Sequence, residues 1–147
     1  MKLFIGIDPG KSGGIGFISQ DGTAWAHKMP ETDRDLLDLL GSCAEWDRQA
    51  VLEQVNSMPG QGVVSVWTFG LGYGALGMAL VASDIPFQRV RPQMWQKALG
   101  CMTGGDKNVS KRKAQELFPL LKITHATADA LLLAEYCRRT CYSPAGN

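Results

Sequence analysis

Lys2-Leu3-Phe4-Ile5-Gly6-Ile7-Asp8-Pro9-Gly10 opens the chain and decides how the rest is read. Phe4, Ile5 and Ile7 make a short apolar run suited to a buried strand. Pro9 has no backbone N–H to give to a sheet ladder, so the strand stops at Asp8. Gly10, Gly13 and Gly14 permit a tight turn, after which Ile15-Gly16-Phe17-Ile18 reads as a second strand beside the first. Asp8 is thus a carboxylate on rigid backbone at a strand end, open to a ligand. An Asp at such a place also hydrogen-bonds its own turn in many proteins, and Asp8 alone does not separate the two roles.

Outward from this hairpin, the pattern predicts further strands over 24–28, 50–55 and 86–90. Helices are expected over 34–46, 63–82, 92–99, 110–118 and 127–139. An opening meander followed by strands alternating with helices is the pattern of an α/β domain with a mixed sheet. The 147 residues contain no linker or repeat, so one domain spanning 1–147 is expected. With 45% hydrophobic and 20% charged residues, the composition excludes a disordered chain. With only a handful of apolar residues before Asp8, no secretory leader is expected. The apolar stretch 74–82 reads as too short and too broken by glycine to span a bilayer, so no membrane partner and a cytoplasmic location are expected. Cys137 and Cys141 are a helical turn apart, but no second Cys or His pair completes a zinc set, and these two with Cys43 and Cys101 are read as reduced thiols.

Net charge is only +1, yet it is unevenly spread. Positions 88–113 hold seven basic residues against the single acid Asp106, whereas positions 21–53 hold eight acids against three basic residues. A basic segment in a balanced chain suits a protein that meets a polyanion on one face, although a solvated helix surface gives the same count.

Two further acids sit in apolar surroundings. Glu53 lies in Ala50-Val51-Leu52-Glu53-Gln54-Val55, where strand alternation puts it on the face of Val51 and Val55. A carboxylate there needs a partner or a metal ion, unless it is simply wet at a strand end. Asp129 lies near the start of a helix in His125-Ala126-Thr127-Ala128-Asp129-Ala130-Leu131, where capping and the macrodipole also favour an acid. His125 precedes it by four residues and shares its face if the helix reaches back that far. Together, Asp8, Glu53 and Asp129 are hard oxygen donors that suit Mg²⁺ or Mn²⁺. Two such ions, roughly 3.5–4 Å apart, would support in-line hydrolysis of a phosphodiester.

Gly6-Ile7-Asp8-Pro9-Gly10, Leu52-Glu53-Gln54-Val55 and Ala128-Asp129-Ala130-Leu131-Leu132-Leu133-Ala134, in that order, resemble the RuvC-type Holliday junction resolvases of the ribonuclease H-like superfamily. The compact forms carried by phages and mobile elements are the nearest in character. The stretch from Arg91-Pro92 through Lys97-Ala98-Leu99-Gly100 and the basic helix at Lys111 resemble that family's DNA-contacting segment. The resemblance implies a five-stranded mixed sheet flanked by helices, with Asp8 and Glu53 on adjacent strands and Asp129 on the last helix. It implies that these three acids hold two Mg²⁺ or Mn²⁺ per active site, with Lys97 and Lys111 near the cleaved phosphate. Expected DNA contacts also take in Lys11, Ser12, Met58, Arg91, Lys107 and Lys113. A homodimer on a four-way junction is implied, joined through the glycine-rich helix that carries Gly70, Gly72, Gly74 and Gly77. The expected setting is the cytoplasm of a bacterium or of a phage-infected cell.

Two departures stand out. The family places an acid or a histidine three residues before the last Asp, where this chain has Ala126. The chain either works with three carboxylates or carries Ala in place of an Asp, and the second, a DNA-trapping variant with impaired cleavage, is the expectation. The loop after Glu53 offers Asn56 and Met58 where some members stack an aromatic on a junction base. Alternatives are another nuclease of this fold, acting on RNA or in DNA packaging, and a non-catalytic junction-binding protein. An actin-like ATPase would need two lobes, for which the chain is too short.

Overall fold

The computed structural model describes residues 1–141. Five strands, β1 (Lys2–Asp8), β2 (Gly14–Ser19), β3 (Ala24–Lys28), β4 (Asp47–Glu53) and β5 (Phe87–Val90), form one sheet in the order β3-β2-β1-β4-β5. The first three run as an antiparallel meander, and β4 and β5 join parallel to β1. Parallel neighbours need crossovers, and α1 (Asp33–Gly41) and α2 (Val63–Ala82) supply them; α3 (Pro92–Leu99), α4 (Lys107–Leu117) and α5 (His125–Cys141) follow.

Strand alternation builds a core on each side of the sheet. Leu3, Ile5, Ile7, Ala50 and Leu52 meet Leu36 and Leu40 of α1 and Leu76 and Leu80 of α2. Phe4, Val51 and Val90 meet Trp95 and Leu99 of α3 and Leu131 and Leu132 of α5. Asp8 keeps the register of Phe4, and Glu53 that of Val51, so both carboxylates belong to the α3/α5 side.

Glycine sets how closely α5 lies on that side. A Cβ on Gly6 would sit 2.1 Å from the Ala134 nitrogen, one on Gly16 2.6 Å from the Ala130 oxygen, and one on Gly14 2.4 Å from the Ala126 oxygen. Ala126, Ala130 and Ala134 recur every fourth residue and so share one helix face. Small residues on both elements let the helix backbone rest on the strand backbone.

The element order follows the sequence pattern, and the edges differ for local reasons. α1 stops at Gly41 rather than at 46, where the Ser42 N–H donates to the Asp38 oxygen and its hydroxyl to the Leu39 oxygen. β4 runs over Asp47–Glu53 rather than 50–55, because Asp47 and Arg48 already pair with Lys2 and Leu3. α4 begins at Lys107 rather than 110, capped by Asp106, whose carboxylate accepts from the Asn108 N–H at 2.9 Å. α5 begins at His125 rather than 127, with the Ala128 N–H donating to the Thr124 oxygen and Thr127 Oγ1 accepting from the Thr124 N–H.

α2 corrects one expectation. Its 20 residues are long and apolar enough, by length and composition, to cross a membrane, so the stretch 74–82 was too narrow a window. The helix is held to the sheet by buried Leu76, Gly77, Ala79 and Leu80. Val64, Trp67, Leu71, Met78 and Val81 remain exposed, Trp67 at 68%.

Candidate functional site

Ile7 pairs with Leu52 in the parallel ladder, which leaves Asp8 and Glu53 side by side at the carboxyl ends of adjacent strands. Glu53 is buried, at 8% exposure. One of its oxygens, Oε2, accepts a 2.7 Å hydrogen bond from the indole N–H of Trp95, a side chain with no exposed surface. Asp129 comes down from α5 onto the same side of the sheet, and its Oδ1 is buried with no hydrogen-bond partner.

The three acids perturb one another. Burial, then the charges of Glu53 and Asp129, push Asp8 up to about 8, and Lys107 opposes the shift. Burial also pushes Glu53 up to about 7; the Trp95 hydrogen bond pulls down and the Asp129 charge pushes up. Asp129 is raised by burial too, against the Ser110 hydroxyl, the Lys107 ammonium and His125. Mutually repelling carboxylates in a poorly solvated hollow favour a cation among them.

Whether a divalent ion fits turns on donor type, charge and reach. Oxygen donors, an orphaned buried carboxylate oxygen and raised affinities for protons all match a hard cation. Reach is looser: among the described residues no three His, Cys, Asp or Glu side chains stand close enough to hold one ion. Closing the three acids on a shared ion takes side-chain movement. The chemistry therefore fits, in a donor set more open than a formed cage.

Of the expected DNA-contact residues, Lys107 is the one brought to the acids, since its charge acts on both Asp8 and Asp129. Lys11 and Ser12 are exposed in the turn after Asp8 and line a groove with Lys28 and with Thr68 and Phe69 of α2. Arg91 is the exposed N-cap of α3, and Lys97 is exposed on the same helix. Lys111 is half-buried on α4. Lys113 pairs with Glu116 at 3.4 Å, so part of its charge is already answered. Among the described residues Lys11, Arg91, Lys97, Lys107 and Lys111 form no ion pair. Met58 is exposed in the loop from Glu53 to α2, where its backbone N–H donates to Gln61 Oε1 at 2.7 Å.

Ala126, in the first turn of α5, has its carbonyl against Gly14, the ladder partner of Asp8, so position 126 lies at the acid end of the sheet. Its methyl group offers no donor atom. His125 is exposed within the first turn of α5 and favours the charged form of Asp129. α3 and α4 bring the basic segment to the side of the acids, while the acids of α1 lie across the sheet with α2.

Sequence reasoning missed two residues here, Trp95 and Ser110. A buried indole seeks an acceptor, so a Trp in the short amphipathic stretch after Arg91 was the available signal. Ser110 is buried on α4; its hydroxyl lies 3.2 Å from the Lys107 oxygen and also supports Asp129. Nothing in its surrounding sequence marks it.

No protein-family model and no curated protein matches the chain. Among solved structures it is similar to Thermus thermophilus RuvC, at 18% identity and a TM-score of 0.60, over 95% of this chain and 96% of that one. It is also similar to T. thermophilus RuvC in complex with a Holliday junction substrate, at 16% identity and a TM-score of 0.62, with the same coverage of both chains. The strand order and flanking helices are those of a RuvC-type, ribonuclease H-like α/β fold.

Proposed function

We propose that this chain is a nuclease of the junction-resolving kind, a homodimer that binds four-way DNA and hydrolyses its phosphodiester backbone with Mg²⁺ or Mn²⁺. The observation that carries the reading is the placement of Asp8 and Glu53 at the ends of adjacent strands, with the charge of Asp129 acting on both and that of Lys107 on Asp8 and Asp129. The junction as substrate is supported by the fold shared with a RuvC that is in complex with one.

In this reading Asp8, Glu53 and Asp129 hold the ions, which when bound polarise the phosphate and lower the pKa of water. Lys107 would pair with a phosphate oxygen of DNA bound at the acids, and its ammonium also limits the repulsion among them before DNA arrives. Lys97, Lys111 and Arg91 would follow the flanking backbone, fixing register without reading sequence. Exposed Met58 would act at the branch as an apolar wedge. The setting proposed is the cytoplasm of a bacterial or phage-infected cell.

The dimer rests on α2. Exposed Val64, Trp67, Leu71, Met78 and Val81, with Gly74 between them, fall at alternating steps of three and four, the spacing of a seam between two helices. Gly70, Gly72 and Gly74 each cost about 1 kcal/mol relative to Ala, and a Cβ on any of them would meet nothing within 4 Å in the protomer. A second copy crossing close to α2 would offset that cost. Leu71→Asp should shift the sedimentation profile from dimer to monomer with the circular dichroism spectrum intact; an unchanged dimer would remove α2 from the interface.

Ala126 favours a second reading, junction binding with little or no cleavage. Gel shifts on a junction and a linear duplex in Ca²⁺, then cleavage in Mg²⁺, separate the two. Junction preference with cleavage gained in Ala126→Asp supports an impaired resolvase, and junction preference without any gain supports a binding protein. Equal affinity for duplex and junction would end the junction assignment.

A further inference from the structure

Trp95 has no exposed surface, and its indole N–H meets Glu53 Oε2 at 2.7 Å across 42 residues of sequence. We infer that Trp95 is a positioning residue, which holds the Glu53 carboxylate from behind so that its free oxygen is presented to a divalent cation shared with Asp8 and Asp129. The inference rests on the metal-dependent reading above and adds a residue to it.

Three features carry it. First, the indole N–H fixes the orientation of the carboxylate through Oε2, whereas Oε1 makes no hydrogen bond among the described residues and keeps both lone pairs free. Second, the donor is rigidly held. Trp95 and Leu99 are the buried residues of α3, and both pack in the core that also contains Val51 and Val90, the strand neighbours of Glu53. Third, packing alone gives no reason for a tryptophan. A phenylalanine would fill apolar space without a polar atom, whereas a buried N–H is stable only where an acceptor meets it. Metal-ligating carboxylates are commonly fixed by such an outer hydrogen bond, and losing it lowers metal affinity by about 10–100-fold.

The same helix turns Met94 and Lys97 outward. α3 therefore joins a basic surface to the carboxylate behind it through one rigid turn. Contact of that surface with a phosphate backbone would bear directly on Glu53.

The test uses the full chain labelled with ¹⁵N. Its four tryptophans give four indole N–H resonances, assigned by Trp→Phe substitution at Trp25, Trp46 and Trp67, so that Trp95 is identified even if its own variant fails to fold. On Mg²⁺ titration the Trp95 resonance should move while those of Trp25 and Trp46 stay, and Glu53→Gln should abolish the movement. Calorimetry with Mn²⁺ should show affinity falling about 10-fold or more in Trp95→Phe. Suppose instead that the wild type binds Mn²⁺, that Asp8→Asn abolishes binding, and that the Trp95 resonance does not respond. The inference would then be overturned, and the nuclease reading would stand. A wild-type chain that binds neither Mg²⁺ nor Mn²⁺ would overturn both.

Discussion

Replacing Asp8 by Asn should make the ion-free protein more stable, the reverse of what is usual for a half-buried polar side chain. Asp8 is pushed from 3.8 up to about 8, first by burial and then by Glu53 and Asp129. The folded chain therefore keeps a proton that the unfolded chain releases. Stability from this group is complete below about pH 4 and is lost as pH rises toward 8, since folding must hold back or expel an ionised carboxylate. At 1.36 kcal/mol per pH unit, the full span corresponds to at most about 6 kcal/mol. The effective dielectric around ionised groups in proteins is well above that of a dry interior, so a net gain of about 2 kcal/mol for Asp8→Asn at pH 8 is the working figure. In a domain of this size that raises the midpoint by about 4–8 °C. The assay is thermal or urea denaturation in EDTA at pH 5 and pH 8, repeated with Mg²⁺. The advantage of Asp8→Asn should shrink at pH 5. Mg²⁺ at about 100 times its Kd should add about 2.7 kcal/mol to the wild type and little to the variant. If Asp8→Asn is no more stable at pH 8, or if Mg²⁺ stabilises both chains equally, the acids are not a strained cation site.

Gly6→Ala places a Cβ 2.1 Å from the Ala134 backbone nitrogen, which no side-chain rotation relieves; a loss of about 1–3 kcal/mol or more is expected in urea denaturation. Lys107→Gln should weaken junction and duplex binding alike and reduce the slope of log affinity against log salt by about 1, measured by fluorescence anisotropy. Its removal also takes away the charge that lowers Asp8 and Asp129, so the loss of stability toward pH 8 should steepen.

Much of the fold and the three acids was legible because each rests on a local rule. Pro9 ends β1 at Asp8, alternation places Glu53 beside Val51, and small residues followed by Leu131-Leu132-Leu133 mark α5. What escaped the sequence depends on contacts between distant elements. Lys107 reaches the acids because Asp106 caps α4 and starts the helix three residues before the periodicity does. Trp95 finds Glu53 only once α3 is laid against β4 and β5, and Ser110 finds Asp129 only where α4 packs on α5. The glycines were read for only one of their properties: Gly10, at a φ of 99°, and Gly13, whose N–H donates to the Gly10 oxygen, do make the turn. Gly14 served the turn in the sequence reading, but Gly6, Gly14 and Gly16 share a second role, the absence of a Cβ under α5.

That role bears on the chemistry as well as the packing. Asp129 is carried by the helix whose distance from the sheet Gly6, Gly14 and Gly16 determine, while Asp8 ends the strand that contains Gly6. The separation of the backbone positions that carry these two carboxylates is therefore set by backbone-to-backbone contact, and side-chain rotation covers the remaining distance. A larger residue at Gly6 or Gly16 would lift Asp129 away from Asp8, easing their repulsion and weakening any site they share. Core stability and cation affinity should accordingly fall together at these positions, whereas at Asp8 itself they should move in opposite directions.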